Sequence, residues 1–114
     1  MSECLFCQIV DGTIPAAIVA QSDRALAFYD VAPQAPVHVL VIPKQHITSA
    51  DEVASDHGGV VDDLIMLAQR VMEDEGVRQQ GYRLVLNVGP DAQMSVPHLH
   101  LHVLGGRRLE WPPG

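Results

Sequence analysis

The stretch His98-Leu99-His100-Leu101-His102-Val103-Leu104 constrains this chain most. Imidazole and aliphatic side chains alternate along it, and Gly105-Gly106 closes it. Alternation at period two is the pattern of a strand with unlike faces. His98, His100 and His102 then project from one face, while Leu99, Leu101 and Val103 enter a core from the other. Alternate residues of a strand stand roughly 6.5–7 Å apart. The nitrogens of one zinc site lie about 2 Å from the metal, hence within about 3.5 Å of one another. One flat strand does not close three such imidazoles on one ion, so the spacing predicts separate jobs. A neutral imidazole can be nucleophile, acid, base or ligand near neutral pH. A row of solvated surface histidines is the plain alternative.

A chain of 114 residues reads as one domain, 1–114, with residues 109–114 as a C-terminal tail. A net charge of −7 argues against a nucleic-acid or anionic-membrane surface. It leaves room for a phosphate site, which needs only local donors. The sequence shows no run long and apolar enough to span a bilayer, and no basic start followed by a hydrophobic segment. That predicts a cytoplasmic protein. Cys4 and Cys7 are the only cysteines. In a reducing compartment they read as a metal or redox pair rather than a structural disulfide.

Residues 4–12 read as a short helix with an apolar side of Phe6, Ile9 and Val10. Strands are expected at 18–20, 25–30 and 37–42, with the Pro33 and Pro36 loop between the last two. Ser49 and Glu52 have the spacing of a capping box. The main helix is expected over Val60 to Glu75, burying Val60, Leu64, Leu67, Ala68, Val71 and Met72. Met66 and Met72 read as packing residues. A strand over Tyr82 to Val88, a turn at Gly89-Pro90-Asp91 and the histidine strand complete the order. The pattern predicts an α+β class, an antiparallel sheet with helices on one side.

Pro97-His98-Leu99-His100-Leu101-His102-Val103-Leu104 resembles the motif of the histidine-triad (HIT) superfamily. Gly105-Gly106-Arg107 and Trp111-Pro112-Pro113-Gly114 are similar to its Hint branch. The resemblance runs over nearly the whole chain, through Phe6-Cys7-Gln8-Ile9, Ile14-Pro15-Ala16, Ala27-Phe28-Tyr29-Asp30, Pro33 to His38, Val41 to Ile47 and Gly81 to Asn87. It implies a five-stranded antiparallel sheet with one long and one or two short helices. It also implies a homodimer with a joint ten-stranded arrangement.

The activity implied is hydrolysis of purine nucleoside 5′-phosphoramidates, adenosine preferred, through a covalent nucleotidyl-histidine intermediate that releases a nucleoside monophosphate such as AMP. By resemblance His100 is the nucleophile, its other nitrogen held by an acceptor. His102 contacts the phosphate and acts as general acid, and His38 supports both. Asn87 and Ser95 carry over as phosphate and ribose-side donors, and Asp30 as acceptor for the ribose hydroxyls. Asn87 reads equally as a strand-end amide, and Asp30 as a turn aspartate. Phe6, Ile9, Phe28, Val31 and Leu40 would line the base pocket, though each also suits ordinary core. Catalysis of this kind needs no metal at the phosphorus.

Cys4-Leu5-Phe6-Cys7 has the spacing that lets two thiolates share a zinc ion. In some superfamily members such a pair joins the histidine of a Pro-Lys-x-His segment and the first triad histidine, here His46 and His98. That set is closed, hence structural. Two buried thiols are the alternative. His57 reads as an exposed turn residue. The family usually carries a small residue, often glycine, and then glutamine ahead of the serine; here Gln93-Met94-Ser95 stands there, with Met94 at the glutamine position. Other functions compatible with the motif are a dinucleoside polyphosphate hydrolase, a nucleotidyl transferase, or a nucleotide-binding scaffold.

Overall fold

The computed structural model describes residues 3–114. Five strands form one sheet: β1 (Ile18–Gln21), β2 (Ala25–Tyr29), β3 (Val37–Pro43), β4 (Tyr82–Val85) and β5 (Leu101–Gly105). Their order is β1-β2-β3-β5-β4, with every neighbouring pair antiparallel. The first three strands form a meander. A long crossing through α2 (Val60–Asp74) then reaches the far edge at β4, and β5 returns between β4 and β3. The histidine strand is therefore interior to the sheet.

Alternation sorts the strands into two cores. Ala25, Ala27, Val39, Val41, Leu99, Leu101 and Val103 face α2, whose buried stripe is the expected Val60, Leu64, Leu67, Ala68, Val71 and Met72. Leu26, Phe28, Leu40 and Ile42 face the other way, against Phe6 and Ile9 of α1 (Leu5–Val10). Helices thus cover both faces, not one as the element order suggested. The α1 segment is only two turns long, and its apolar side alone could not reveal which face it would cover. Truncating a fully buried side chain such as Leu64 to alanine costs about 2–5 kcal/mol. Met66, expected to pack, is 62% exposed because it lies off the buried stripe.

Several boundaries differ from expectation. Regular β5 pairing starts at Leu101, opposite Val41, not at His98. Pro97 has no N–H to give a ladder, the His98 N–H bonds Val96 O at 2.8 Å, and the Leu99 N–H bonds Ile47 O at 2.6 Å. These bonds take the segment out of the sheet. With its partner gone, β4 ends at Val85, opposite His102, so Asn87 lies beyond the strand rather than in it. Ser49 caps only a three-residue 3-10 turn, Ala50–Glu52, accepting the Asp51 N–H at 3.2 Å; the Glu52 side chain does not complete a capping box. Gly58 and Gly59 both have positive φ, 65° and 76°, and admit the turn into α2. No helix among the described residues is long and apolar enough to cross a membrane.

Candidate active site

The side-chain alternation survives the loss of ladder bonds. Leu99, Leu101 and Val103 enter the α2 core. The His98 and His100 rings pack edge-on against Phe6 of α1, with centroids 5.9 and 5.2 Å away. The His98 ring also meets the two cysteines and His46, while the His100 ring also meets that of His102.

His100 is 5% exposed, and its Nδ1 lies 2.7 Å from the carbonyl oxygen of His98. A carbonyl only accepts, so Nδ1 carries the proton and Nε2 keeps its lone pair. That nitrogen is the one able to attack an electrophile. The His102 ring stands 5.1 Å from the His100 ring.

His38 and His102 share a second chain of hydrogen bonds. The Gln34 backbone N–H donates to His38 Nδ1 at 3.0 Å. His38 therefore carries its proton on Nε2, which donates to His102 Nδ1 at 3.0 Å. With Nδ1 accepting, neutral His102 holds its own proton on Nε2. Burial chiefly holds the His102 pKa down, to about 4, with the neighbouring His100 and His38 adding to the effect and Asp30 opposing it. Burial also lowers the His38 pKa, against the pull of Asp30. Asp30 Oδ2 lies 3.4 Å from His38 Nε2, and its Oδ1 accepts the Ala32 N–H at 2.8 Å.

Asp30, His38 and His102 could in principle hold a metal ion, since their donor atoms cluster within 4.8 Å. Their hydrogen bonds argue otherwise. A neutral His38 offering Nε2 to a metal would carry its proton on Nδ1, facing the Gln34 N–H donor.

An apolar cavity of about 440 Å³ opens between α1, the segment after it and the β2–β3 part of the sheet. Its walls include Phe6, Ile9, Phe28, Val31, Leu40, Asp30 and Ser95, seven of the residues anticipated from the sequence. No histidine among the described residues lines the cavity; two of its wall residues touch the histidine cluster, Phe6 at the His100 ring and Asp30 at His38. Val31, counted equally as core, is fully exposed and forms the rim. Asn87 does not line this cavity and is half-buried. Sequence reasoning missed Ile14, Ala16, Tyr29 and Val96 as wall residues. The Ile14-Pro15-Ala16 segment read as a mere connection; a rigid proline beside apolar residues after α1 was the available signal.

On the far side of His98, four donors converge. Cys4 Sγ and Cys7 Sγ lie 3.3 and 3.5 Å from His98 Nδ1, and His46 Nδ1 lies 3.3 Å from Cys7 Sγ and 3.2 Å from His98 Nδ1. His98 gives its Nε2 proton to Pro43 O at 2.9 Å, so its Nδ1 presents a lone pair to the other donors. Separations of this size match the edges of a tetrahedron about 2.0–2.3 Å in radius. The donor set and its outer hydrogen bond fit a closed zinc site. Cys4 and Cys7 are not disulfide-bonded. His57, expected to be exposed, is half-buried, its Nδ1 accepting the Ala54 N–H at 2.8 Å.

Ahead of Ser95, Gln93 adopts a left-handed φ of 59°. Glycine is favoured in that conformation, which gives a backbone reason for a small residue there. Met94 is half-buried, and its N–H bonds Gly89 O at 3.2 Å.

The model of the HIT domain matches residues 11–109. An uncharacterized HIT-like protein of Synechococcus elongatus is 49% identical over 115 residues, covering all of both chains. A HIT family hydrolase from Legionella pneumophila superposes with a TM-score of 0.95 at 45% identity, over 98% of this chain and 100% of that one. A histidine triad nucleotide-binding protein from Candida albicans gives 0.81 at 26% identity, over 96% and 83%. With the domain match, the fold and the histidine arrangement in agreement, this chain belongs to the HIT family.

Proposed function

We propose that this chain is a HIT-type hydrolase that cleaves purine nucleoside 5′-phosphoramidates, adenosine foremost, through a nucleotidyl-histidine intermediate. One observation carries the reading: the 2.7 Å contact between His100 Nδ1 and His98 O, which leaves the lone pair on Nε2. His100 Nε2 attacks the α-phosphorus, and a phosphorus–nitrogen bond to the protein forms. The bond to the leaving amine breaks as that amine takes a proton from His102 Nε2 in the imidazolium form, which the negative charge of the bound phosphate favours, and His102 is left neutral. Water then attacks the same phosphorus, releasing the monophosphate from His100 and returning a proton to His102. One hard displacement becomes two easier ones.

The base would occupy the cavity of Phe6, Ile9, Phe28, Val31 and Leu40, with Asp30 accepting from the ribose hydroxyls. Ser95 lies on the cavity wall, where its hydroxyl can donate to phosphate. Asn87 would be a further donor to the phosphate.

Cys4, Cys7, His46 and His98 would hold a zinc ion that ties α1 to the loop after β3 and to the segment before β5. A closed set of four ligands supplies cross-linking rather than Lewis acidity at the phosphorus.

A second copy of the chain would cover the β4 edge. That edge exposes Leu84, Leu86 and Val88, and a cavity of about 300 Å³ runs between Leu84 and Leu86 and the α2 residues Val61 and Ile65. An unpaired edge with apolar neighbours suits two-fold strand pairing, which would join two five-stranded sheets. The 109–114 tail, whose Trp111 is 79% exposed over the Arg83 guanidinium, would then reach the leaving-group side of a site.

The test is AMP release from adenosine 5′-phosphoramidate. The wild type should turn over, and His100→Ala and His100→Asn should lose at least about a thousand-fold in kcat with the fold intact. Nucleotide binding without turnover in the wild type would favour a binding protein.

A further inference from the structure

The Gly105-Gly106-Arg107 segment has no part in the chemistry above. Gly106 has φ 89°, and a Cβ there would lie 3.0 Å from the Pro36 Cβ. Only glycine lets the chain leave β5 this close to the Pro33–Pro36 loop. The turn delivers Arg107 to that loop. Its Nε and Nη2 both donate to the Gln34 carbonyl, at 3.2 and 2.9 Å, and its Nη1 donates to Arg108 O at 2.9 Å. Gln34 is the residue whose own N–H donates to His38 Nδ1. Pro33 and Pro36 lack N–H groups, so the loop offers few donors for that nitrogen.

We propose that Arg107 is a positioning residue that clamps Gln34 so that its N–H fixes the tautomer of His38 and, through it, the proton-bearing nitrogen of His102. A forked guanidinium on one carbonyl defines the loop's orientation better than a single bond could. If the clamp opens, the Gln34 N–H withdraws. His38 then can protonate Nδ1 and present a lone pair at Nε2 to His102 Nδ1. Two lone pairs would face one another, and His102 would move its proton to Nδ1, away from a leaving group. The inference rests on the hydrolase reading only for its kinetic consequence; the tautomer itself needs no substrate.

The experiment uses the whole chain, ¹⁵N-labelled, as wild type, Arg107→Ala and Arg107→Lys. Two-bond ¹H–¹⁵N spectra assign which His38 and His102 nitrogens carry protons. The wild type should show His38 protonated on Nε2 and unprotonated on Nδ1. Arg107→Ala should show both His38 tautomers, with unchanged melting temperature. On adenosine 5′-phosphoramidate its kcat should fall about five-fold while KM stays within about two-fold. Arg107→Lys, which gives one donor without the fork, should fall between the two. A single unchanged His38 tautomer in Arg107→Ala overturns the proposal, whatever the kinetics. If the wild type shows no turnover, the hydrolase reading fails, and the tautomer comparison still decides the role of Arg107.

Discussion

The backbone carbonyl of His98 holds the ring of His100: O and Nδ1 are 2.7 Å apart across two residues of one segment. His98 thereby serves twice. Its ring joins the two cysteines and His46, while its carbonyl fixes the protonation of its neighbour. The same departure from regular pairing that frees this carbonyl from the ladder also points the His98 ring at the cysteines.

Zinc content follows from the four converging donors. Protein purified without chelators should carry one zinc per chain, by elemental mass spectrometry. Cys7→Ser should lose most of it and lower the melting temperature, because a ligand bound only to the folded chain stabilises it. Sub-stoichiometric metal with freely titrating thiols would contradict the assignment.

The depressed His102 pKa sets a stability window. Its folded value of about 4 lies below the ordinary 6.5, so the unfolded chain binds the proton more readily. The contribution is fully present above about pH 6.5 and is lost as pH falls toward 4. Its size is about 1–3 kcal/mol after allowing for the ring's partial exposure. Urea unfolding at stepped pH should show a shallower acid loss in His102→Gln than in wild type. Parallel curves would contradict this.

Gln93 spends its backbone in a region that disfavours a Cβ. Gln93→Gly should leave stability unchanged or raise it by up to about 1 kcal/mol, since relief of the left-handed conformation offsets the added freedom of the unfolded chain. Gln93→Val should lower it by a larger amount, read by thermal unfolding.

The apolar edge at β4 predicts association. Leu84→Glu combined with Leu86→Lys should shift the sedimentation coefficient from dimer to monomer while circular dichroism stays unchanged. A wild type that sediments as a monomer at micromolar concentration would contradict the dimer.

The alternation around His100 made the histidine strand and its two faces legible, and the α2 stripe was equally plain because fifteen residues sample four turns of its period. Six residues of α1 carry too little periodicity to say which face they cover. The early end of β4 and the late start of β5 depend on where Leu99 sends its N–H, a long-range bond to Ile47 that no local pattern encodes. The cavity residues on β2 and β3 could be named from motif resemblance, but Ile14 and Val96 join them only through folding. The links from Arg107 to Gln34 and from Gln34 to His38 run through backbone atoms, on which side-chain identity is silent.

The central claim is that His100 carries the nucleotide covalently. The direct measurement is single-turnover incubation with adenosine 5′-phosphoramidate, a quench that avoids acid, and intact mass of wild type and His100→Ala. A transient gain of one AMP on the wild type alone, mapped to the peptide containing His100 and decaying as free AMP appears, is the predicted result. AMP release with no adduct at any time, or an adduct that persists in His100→Ala, would contradict it.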